Sequence, residues 1–374
     1  MTSYGLFTPN LSGLALAHYD YPLPEDLIAS YPLAERDASR MLVLNRATGA
    51  LDNRQFAELP GYLQPGDCLV LNNTRVLPAR FIGNRRGFEG TVEVLLLNPT
   101  TETTPADPPE ADTGAGELWT AMMRPIKKLK GGTIIEIPGT TAYFVAMPHQ
   151  EGGRGRVRVC LNGAFETTAD LMLACGQMPI PPYLGRLAEE SDKTTYQTVF
   201  SRVPGAQAAP TAGLHFTPAV LEAIRARGVQ VAEVTLSVSS GTFRSVSVEN
   251  VAEHRMDPEW YTVSAEAAGT IEAVRAAGGR VVAVGTTVAK TLETVAGKFG
   301  GRLQADSAAS ELFIYPGYRF AVVDALLTNF HLPNTTLLML VSAFASREQI
   351  GAAYAAALSE RYRFFSYGDC MLIL

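Results

Sequence analysis

The feature that most limits how this chain can fold is a change of pattern near residue 161. From residue 67 to 161, short apolar segments are separated by Gly, Pro and Asn, which is the pattern of β-strands joined by turns. Beyond residue 161, apolar strands alternate with helical segments, which is the pattern of a layered α/β domain. The sequence therefore predicts two architectures in one chain, whose 374 residues and 47% hydrophobic content allow two cores.

The first pattern predicts a small β-barrel, because many short strands at even spacing are typical of closed sheets. The predicted strands cover residues 68–71, 76–82, 91–97, 118–123, 133–137, 142–146 and 156–161. Between two of these strands, residues 99–117 are rich in Pro, Thr, Asp and Glu, so they are predicted to form a surface loop.

The second pattern predicts the α/β domain. Thr217 caps a helix that begins at Pro218, and Ser264 caps another. Further predicted elements are strands at 229–238, 280–284, 320–326 and 370–374 and helices at 288–296, 335–345 and 348–358. A strand at 41–45 is predicted to join the same sheet, which makes the barrel an insertion. We expect a discontinuous α/β catalytic domain at 1–62 and 163–374 around a barrel domain at 63–162.

Composition excludes several classes of protein. The four cysteines are scattered, so neither a disulfide framework nor a thiolate metal site is encoded, and a reducing cytoplasm fits best. The N-terminus lacks a basic start, and no segment approaches the roughly 20 apolar residues of a membrane span, so we expect a soluble protein without a membrane partner. The formal net charge of -6 argues against a general nucleic-acid coat.

Charge is distributed unevenly within the predicted barrel. Residues 61–161 carry eleven basic and ten acidic side chains, and five of the acids fall in the predicted loop at 99–117. The ordered part of the barrel is therefore basic, with eleven positive against five negative groups. This pattern fits a specific RNA contact, and it fits an ordinary mixed-charge surface equally well.

Two histidines lie in tight loops that suit a polar site. His215 lies in Ala209-Pro210-Thr211-Ala212-Gly213-Leu214-His215-Phe216, and His331 lies in Thr328-Asn329-Phe330-His331-Leu332-Pro333. An imidazole with a pKa near ~6.5 can act as an acid or a base near neutral pH, although it can equally well serve only to tie its own loop together. The histidines at 18, 149, 215, 254 and 331 show no metal-ligand spacing, so we expect no metal.

Other polar segments are weaker signals. The turn Gly285-Thr286-Thr287 before a predicted helix leaves amides and hydroxyls for an anionic or nucleoside group, although Thr287 as a plain helix cap is the commoner case. The usual nucleotide fingerprints are missing. Charged and amide side chains in 35–40 and 72–80 can hold a polar ligand or form ion pairs with one another.

From residue 21 to 374, the chain resembles the S-adenosylmethionine:tRNA ribosyltransferase-isomerase family of queuosine biosynthesis. The resemblance is carried by Glu35-Arg36-Asp37-Ala38-Ser39-Arg40, Pro65-Gly66-Asp67, Asn73-Thr74-Arg75-Val76, Pro78-Ala79-Arg80, Arg124-Pro125, Met178-Pro179, Tyr196-Gln197-Thr198-Val199, the two histidine loops, Val284-Gly285-Thr286-Thr287, Tyr315-Pro316-Gly317-Tyr318 and residues 362–369. It implies an α/β domain with an inserted barrel. It also implies transfer of the ribosyl part of S-adenosylmethionine (SAM) to the aminomethyl group of a 7-deazaguanine base in the tRNA anticodon, with release of adenine and methionine and without a metal.

The chemistry of that reaction suggests roles for particular residues. His215 and His331 are the candidates for the base that removes a ribose C5' proton, and the second histidine or Asp369 for the acid that assists adenine departure. The candidates for binding SAM are Thr211, Gly213, Phe216, Thr286, Thr287, Asn329 and Phe330. The candidates for binding the acceptor base and tRNA phosphates are Asp37, Arg40, Asn73, Arg75, Arg80 and Arg124. We expect a monomer.

Departures from the family pattern leave alternatives open. The chain has Ser237-Val238-Ser239-Ser240-Gly241-Thr242-Phe243 where the family has His-Val-Gly-Ala-Gly-Thr-Phe, and Asp257, Val288 and Lys290 replace a histidine, a serine and an arginine. These changes alter the available acid, base and anion-binding groups. One alternative is a paralogue that cleaves the SAM sulfonium for a small-molecule acceptor without tRNA. Another is a catalytically silent nucleoside- or RNA-binding protein, which the two retained loop histidines disfavour.

Overall fold

A computed structural model describes residues 14–102, 116–147, 154–238 and 246–374. Most of the predicted loop at 99–117, His149, Ser239 and Ser240 lie outside these ranges. The chain divides into two compact units: the first comprises Met1–Arg75, Pro181–Arg186 and Thr195–Leu374, and the second comprises Val76–Ile180 and Leu187–Thr194. None of the helices in the described ranges combines the length and the apolarity that a membrane span requires.

The first unit is built on a nine-stranded mixed sheet. Its strands are β1 (Arg40–Leu44), β2 (Leu51–Gln55), β3 (Cys68–Asn72), β12 (Gln230–Leu236), β13 (Glu259–Val263), β14 (Val281–Val284), β15 (Asp306–Ser310), β16 (Ala325–Asn329) and β17 (Cys370–Ile373). Their order across the sheet is β15-β13-β12-β3-β14-β16-β17-β1-β2. Strands β12, β3, β14 and β16 are parallel, so their carboxyl ends meet at one edge.

Apolar side chains cover both faces of this sheet. Along β3, Leu69 and Leu71 belong to one buried cluster, and Cys68 and Val70 belong to the cluster on the opposite face, as the two-residue period of a strand requires. Helices pack on both clusters, which makes the unit a layered α/β domain. The helices of the chain are α1 (Thr168–Cys175), α2 (Asp192–Thr195), α3 (Pro218–Ala226), α4 (Ala265–Ala276), α5 (Thr286–Lys298), α6 (Thr336–Ala345) and α7 (Arg347–Ser359).

The second unit contains a closed six-stranded barrel. Its strands are β5 (Arg80–Arg85), β6 (Thr91–Pro99), β7 (Glu117–Arg124), β8 (Ile134–Glu136), β9 (Tyr143–Ala146) and β10 (Arg154–Cys160), in the order β10-β7-β6-β5-β8-β9. Its interior is filled by apolar side chains such as Phe81, Phe144 and Val157, all nearly inaccessible to solvent. The predicted fold class, an α/β domain with an inserted small barrel, is confirmed.

Three predicted strands differ in the structure. The strand expected at 76–82 is divided between β4 (Thr74–Val76) and β5, which begins at Arg80. The segment at 68–71, expected to be the first strand of the barrel, is β3 in the middle of the nine-stranded sheet, because its apolar residues are buried on both faces. The strand expected at 320–326 is instead β16, which begins at Ala325. The short strands β4 (Thr74–Val76) and β11 (Val203–Ala206) complete the set in the described ranges.

Two glycines shape the loops at the carboxyl edge of the sheet. Gly285, between β14 and α5, has φ +90°, a left-handed conformation that side chains other than glycine rarely adopt. Gly213 lies in a 3₁₀ turn, Thr211–His215, against two neighbouring side chains. A Cβ added at Gly213 would lie 2.8 Å from both Phe200 Cζ and Thr198 Cγ2. Both loops therefore need glycine, for different physical reasons.

Gly213→Ala is expected to lower the free energy of unfolding by about 1–3 kcal/mol, because the added methyl overpacks a buried contact. Gly269→Ala is the matched control, since nothing lies within 4 Å of a Cβ at this position in α4. The control is expected to stabilise by at most about 1 kcal/mol through helix propensity. Urea denaturation measures both variants, and equal effects would refute the close contact at Gly213.

Candidate functional site

The strands of the α/β unit bring the predicted loops to one edge of the sheet. The loops after β12, β14 and β16 leave this edge at their carboxyl ends. The segments before β17 and β1 arrive there at their amino ends, since β17 is antiparallel to β16 and parallel to β1. The register aligns Asn329 with Cys370 and Cys370 with Met41. Ligands in open α/β sheets bind at such an edge.

A first cavity of about 440 Å³ opens at this edge. The predicted SAM-binding residues Thr211, Thr286, Thr287, Asn329 and Phe330 all line it, and so does the predicted catalytic residue His331. Its remaining walls come from residues 209–212, 238, 285, 328, 337 and 365–366. Hydroxyl side chains from three separate loops, at 211, 286–287 and 366, therefore line the same cavity.

A second cavity of about 420 Å³ contains His215. Its polar lining side chains are Arg36, Ser39, Thr195, His215, Ser366 and Tyr367. Ser366 also lines the first cavity. The two cavities are therefore adjacent, and the segment before β17 forms part of the wall of both.

Hydrogen bonds on both ring nitrogens hold His215 between the cavities. Its Nε2 lies 3.3 Å from Asn329 Oδ1, and its Nδ1 lies 3.0 Å from Ser39 Oγ. The Asn329 amide nitrogen donates to the carbonyls of Phe365 and Ser366, which turns Oδ1 toward the imidazole. An amide oxygen can only accept, so Nε2 carries the hydrogen and the basic lone pair is on Nδ1, facing Ser39. The single hydroxyl hydrogen of Ser39 is shared between this nitrogen and the Arg36 carbonyl, which lies 3.1 Å from Ser39 Oγ.

Burial keeps both loop histidines neutral at physiological pH. Desolvation lowers the pKa of His215 from 6.5 to about 4, against a smaller opposing effect of the hydrogen bond to Asn329. Desolvation also lowers the pKa of His331 to about 3. Both imidazoles can accept a proton at neutral pH. Neither starts as an imidazolium, so neither begins as the acid that the sequence suggested for adenine departure.

His331 is held mainly through its backbone. Its N–H donates to the Tyr354 hydroxyl at 2.9 Å, and its carbonyl accepts from the Tyr21 hydroxyl at 2.5 Å. The ring Nε2 lies 3.0 Å from Thr328 Oγ1, at the wall of the first cavity. The loop is therefore rigid at the main chain and presents a hydroxyl–imidazole pair.

Asp369, predicted as a candidate acid, forms an ion pair instead of lining either cavity. Its carboxylate accepts the backbone N–H groups of Arg40 and Arg363 at 2.9 and 2.8 Å and lies 3.3 Å from the Arg40 guanidinium. Arg40, predicted to bind the acceptor, also stacks on Tyr362 at 4.1 Å. A carboxylate held by these donors orders the loop before β17 rather than supplying a proton.

The two aromatic residues among the predicted SAM-binding candidates, Phe216 and Phe330, have buried rings. Phe216 has no exposed surface and packs on Phe56 and Phe200. The Phe330 ring is equally buried, against Tyr354 and Phe364, although the residue borders the first cavity. Both rings therefore contribute to the apolar core, and of the two residues only Phe330 also lines the first cavity.

The predicted acceptor residues fall in different places. Asp37 accepts from Thr217 Oγ1 at 3.1 Å, and Asn73 is buried between Glu233 and Thr235. Arg75 is exposed on β4. The other two belong to the second unit: Arg80 is paired with Glu93 and Arg124 is exposed at the end of β7. These six residues therefore do not form one cluster in the α/β unit.

Sequence reasoning missed Ser39 and Ser366. Ser39 is part of the block 35–40, and Ser366 is part of the block 362–369, but neither was a candidate because a serine in a polar run carries no special signal. Their contact with the cavities depends on residues far away in the chain. Within the described ranges, no cluster of three or more His, Cys, Asp or Glu side chains suits a metal.

The exposed charge of the barrel is concentrated in one segment. This segment begins at the last residue of β7, Arg124, and its exposed cations are Arg124, Lys127, Lys128 and Lys130. Other basic residues of the predicted patch are not available: Arg156 and Arg158 are buried, and Arg80 and Arg86 are paired with glutamates. The basic surface is therefore smaller and more local than the sequence count indicated.

Two adjoining cavities at the carboxyl edge of an α/β sheet, one lined by His331 and the other by His215, are where a protein of the α/β class binds its ligands. The profile of the family described as queuosine biosynthesis protein matches residues 16–373. The chain belongs to this family.

Individual relatives are similar over the whole chain. The S-adenosylmethionine:tRNA ribosyltransferase-isomerase of Heliobacterium modesticaldum is 47% identical over 362 residues, 96% of this chain and all of the relative. The protein of the same name from Symbiobacterium thermophilum is 48% identical over the same shares. The crystal structure of S-adenosylmethionine tRNA ribosyltransferase from Thermotoga maritima is 35% identical, with a TM-score of 0.51 over 95% of this chain and 99% of that one.

The buried histidines predict an acid-sensitive stability. The unfolded chain binds a proton at His215 below pH 6.5, whereas the folded chain binds it only near pH 4, so the free energy of unfolding falls as the pH drops between these values. We expect His215 to contribute up to about 3 kcal/mol of this loss. Urea denaturation at pH 4.5, 5.5 and 7.5 is expected to give a flatter dependence for His215→Gln, and an unchanged slope would contradict the assignment.

Proposed function

We propose that this protein transfers and isomerises the ribosyl part of SAM onto the 7-aminomethyl-7-deazaguanine base of tRNA, which gives epoxyqueuosine and releases adenine and methionine. The observation that carries the proposal is the match to relatives named for this activity, which extends over their full length. The two adjoining cavities support it, because the reaction needs one site for the ribosyl donor and another for the acceptor.

The first cavity is the proposed site for the sulfonium and ribosyl part of SAM. Thr211, Thr286 and Thr287 supply hydroxyls for the ribose, and Asn329 and His331 complete the polar wall. Thr287 is also tied to the sheet, because Asn72 Nδ2 donates to its hydroxyl at 3.4 Å and to the Leu236 carbonyl at 3.1 Å. A hydroxyl held in place by buried partners is pre-organised for a ligand.

The second cavity is the proposed site for the acceptor base. Because the ribosyl group passes from a ligand in one cavity to a ligand in the other, the group that accepts the first proton belongs between them. His215 is in that position, with its basic Nδ1 toward Ser39 and its Nε2–H on Asn329. We assign His215 as the base. Because Ser39 and the basic Nδ1 face the second cavity, the ribose has to reach the junction of the two cavities at Ser366, where Ser39 relays its C5' proton to Nδ1.

One neutral imidazole can serve both proton transfers. A sulfonium acidifies the neighbouring C5' protons, so the neutral ring of His215 is a sufficient base. Once protonated, a buried imidazole with a pKa of about 4 is a good acid and can return the proton to a ring nitrogen of the departing adenine. Methionine leaves as a neutral thioether and needs no acid.

The small-molecule alternative is not favoured, because the relatives that cover the whole chain carry the tRNA-modifying name. Two of the departures from the family pattern have a local explanation in the structure. Val288 is a core residue of α5 and Lys290 pairs with Glu259. The alternative of a catalytically silent binding protein is also not favoured, because the two retained histidines, His215 and His331, both line cavities.

For the tRNA, we assign the exposed segment from Arg124 to Lys130 to phosphate contacts. Its four cations, Arg124, Lys127, Lys128 and Lys130, lie close together in sequence, and all four are exposed. Contacts of such cations with phosphates position a protein on nucleic acid without recognising the base sequence. A chain with a formal net charge of -6 needs such a local site to approach tRNA.

The function is tested by incubating the purified protein with SAM, with and without tRNA that bears the aminomethyl deazaguanine. We expect adenine and methionine to appear only when both substrates are present, together with the modified tRNA. Chromatography of the nucleosides and of the free products measures this. Product formation from SAM alone, or with a small acceptor only, would instead support the paralogue alternative.

In the same assay, His215→Ala and Ser39→Ala are expected to lower the rate of adenine release, the first by at least about 100-fold, because a positioned base contributes this much or more. His254→Ala is the control, since His254 lines neither cavity. Full activity of His215→Ala would remove the imidazole from the mechanism while leaving the overall function intact.

Lys127→Gln/Lys128→Gln is expected to weaken tRNA binding and to reduce the slope of log affinity against log salt by about 2, one for each lost phosphate contact. The KM for SAM is expected to stay unchanged. Arg225→Gln/Arg302→Gln removes two exposed cations of the first unit and serves as the control. Filter binding between 50 and 200 mM salt, approximately the range in which such contacts respond, measures the slopes. Equal slopes for both double variants would refute the assignment.

A further inference from the structure

A third cavity adjoins the first cavity in the α/β unit. It is open to solvent and shares Thr286, Thr287 and Leu337 with the first cavity. Most of its other walls are apolar and include Met256 and Leu340. The roles proposed above leave this space without a ligand, and its three shared residues place it next to the first cavity.

One ion pair lies at the wall of this third cavity. Lys290 Nζ lies 3.0 Å from Glu259 Oε2, and the two side chains are only 7% and 3% exposed. Removing two charges from water is costly, and an ion pair alone often does not offset that cost. The wall of this cavity is mostly apolar apart from three threonines, so the fold alone does not explain why a charged pair lies there.

The donor groups of Lys290 are not saturated by the protein. An ammonium has three N–H groups, and among the described residues its Nζ donates to Glu259 alone. Lys290 lies one helical turn after Thr286 on α5, so both side chains are on the same face of the helix. Glu259 is the first residue of β13. Secondary structure on both sides thus fixes the pair at the junction of the two cavities.

We propose that this third cavity binds the amino-acid end of SAM, with Lys290 donating to the α-carboxylate and Glu259 accepting from the α-ammonium. The inference rests on the proposed function. The methylene groups of the methionyl part pack on the apolar wall, and the sulfonium and ribose remain in the first cavity beside Thr286 and Thr287.

Charge balance supports this assignment. The ion pair is neutral as a whole, and so is the zwitterionic amino-acid end, so binding adds no net charge to a buried site. Each charge of the ligand then meets an opposite charge of the protein, and charge-assisted hydrogen bonds of this kind are the stronger class.

The test compares SAM with decarboxylated SAM, which keeps the sulfonium, ribose, adenine and amine but lacks the carboxylate. In the adenine-release assay, Lys290→Gln is expected to raise the KM for SAM about 10- to 100-fold, the size of one hydrogen bond to a charged group, with kcat within about 3-fold. The inhibition constant of decarboxylated SAM is expected to change by less than about 3-fold, because that ligand makes no contact with Lys290 through a carboxylate.

Lys298→Gln is the matched control on the same helix, because Lys298 pairs with Asp306 and lines none of the three cavities. If Lys290→Gln does not fold, Glu259→Gln/Lys290→Gln, which can keep a neutral hydrogen bond, replaces it. Because this double variant also removes the carboxylate that meets the ammonium of both ligands, SAM is then expected to lose about 10-fold more affinity than decarboxylated SAM. Lys290→Arg is expected to retain a KM close to that of the wild type.

An equal loss for both ligands, or no change for SAM, would overturn the inference. A wild-type protein inactive with both substrates would instead overturn the proposed function.

Discussion

The site depends above all on the side-chain amide of Asn329. This group lies at the carboxyl end of β16 and is almost inaccessible to solvent, so each of its hydrogen-bonding atoms needs a partner. Its nitrogen donates to two carbonyls before β17, and its oxygen faces His215. One amide thus connects a strand end to two loops that are distant in sequence, and it determines which nitrogen of the imidazole stays basic.

Burial decides the chemistry available around that amide. Desolvation holds both loop imidazoles neutral, whereas Asp369 remains in an ion pair with Arg40 and two backbone N–H groups. The carboxylate and its arginine therefore order the loop before β17, and the imidazoles are left to exchange protons. Asp369 therefore differs in role from His215 and His331. The carboxylate is paired with the Arg40 guanidinium, whereas the two imidazoles are hydrogen-bonded to neutral side chains.

Local features of the fold were predictable from the sequence, and distant contacts were not. Thr217 and Ser264 cap α3 and α4 as expected, because a helix cap depends on residues within one turn. The position of β3 was not predictable, since a short apolar segment has the same sequence pattern in a barrel strand as in a buried parallel strand. Ser39 was missed because its partner His215 is 176 residues away. The histidine loops themselves were recognisable from their glycine and proline boundaries.

The charges around the cavities fit a substrate that must remain reactive. Among the described residues, the lining of the first cavity includes no Asp, Glu, Lys or Arg, and the pair of Lys290 and Glu259 lies in the cavity beyond it. A carboxylate placed next to the sulfonium would neutralise it and make the neighbouring C5' protons less acidic. Neutral hydroxyls and amides can hold the ribose without this effect. A neutral, weakly basic imidazole is then sufficient, because the cation itself supplies the acidity that a stronger base would otherwise have to overcome.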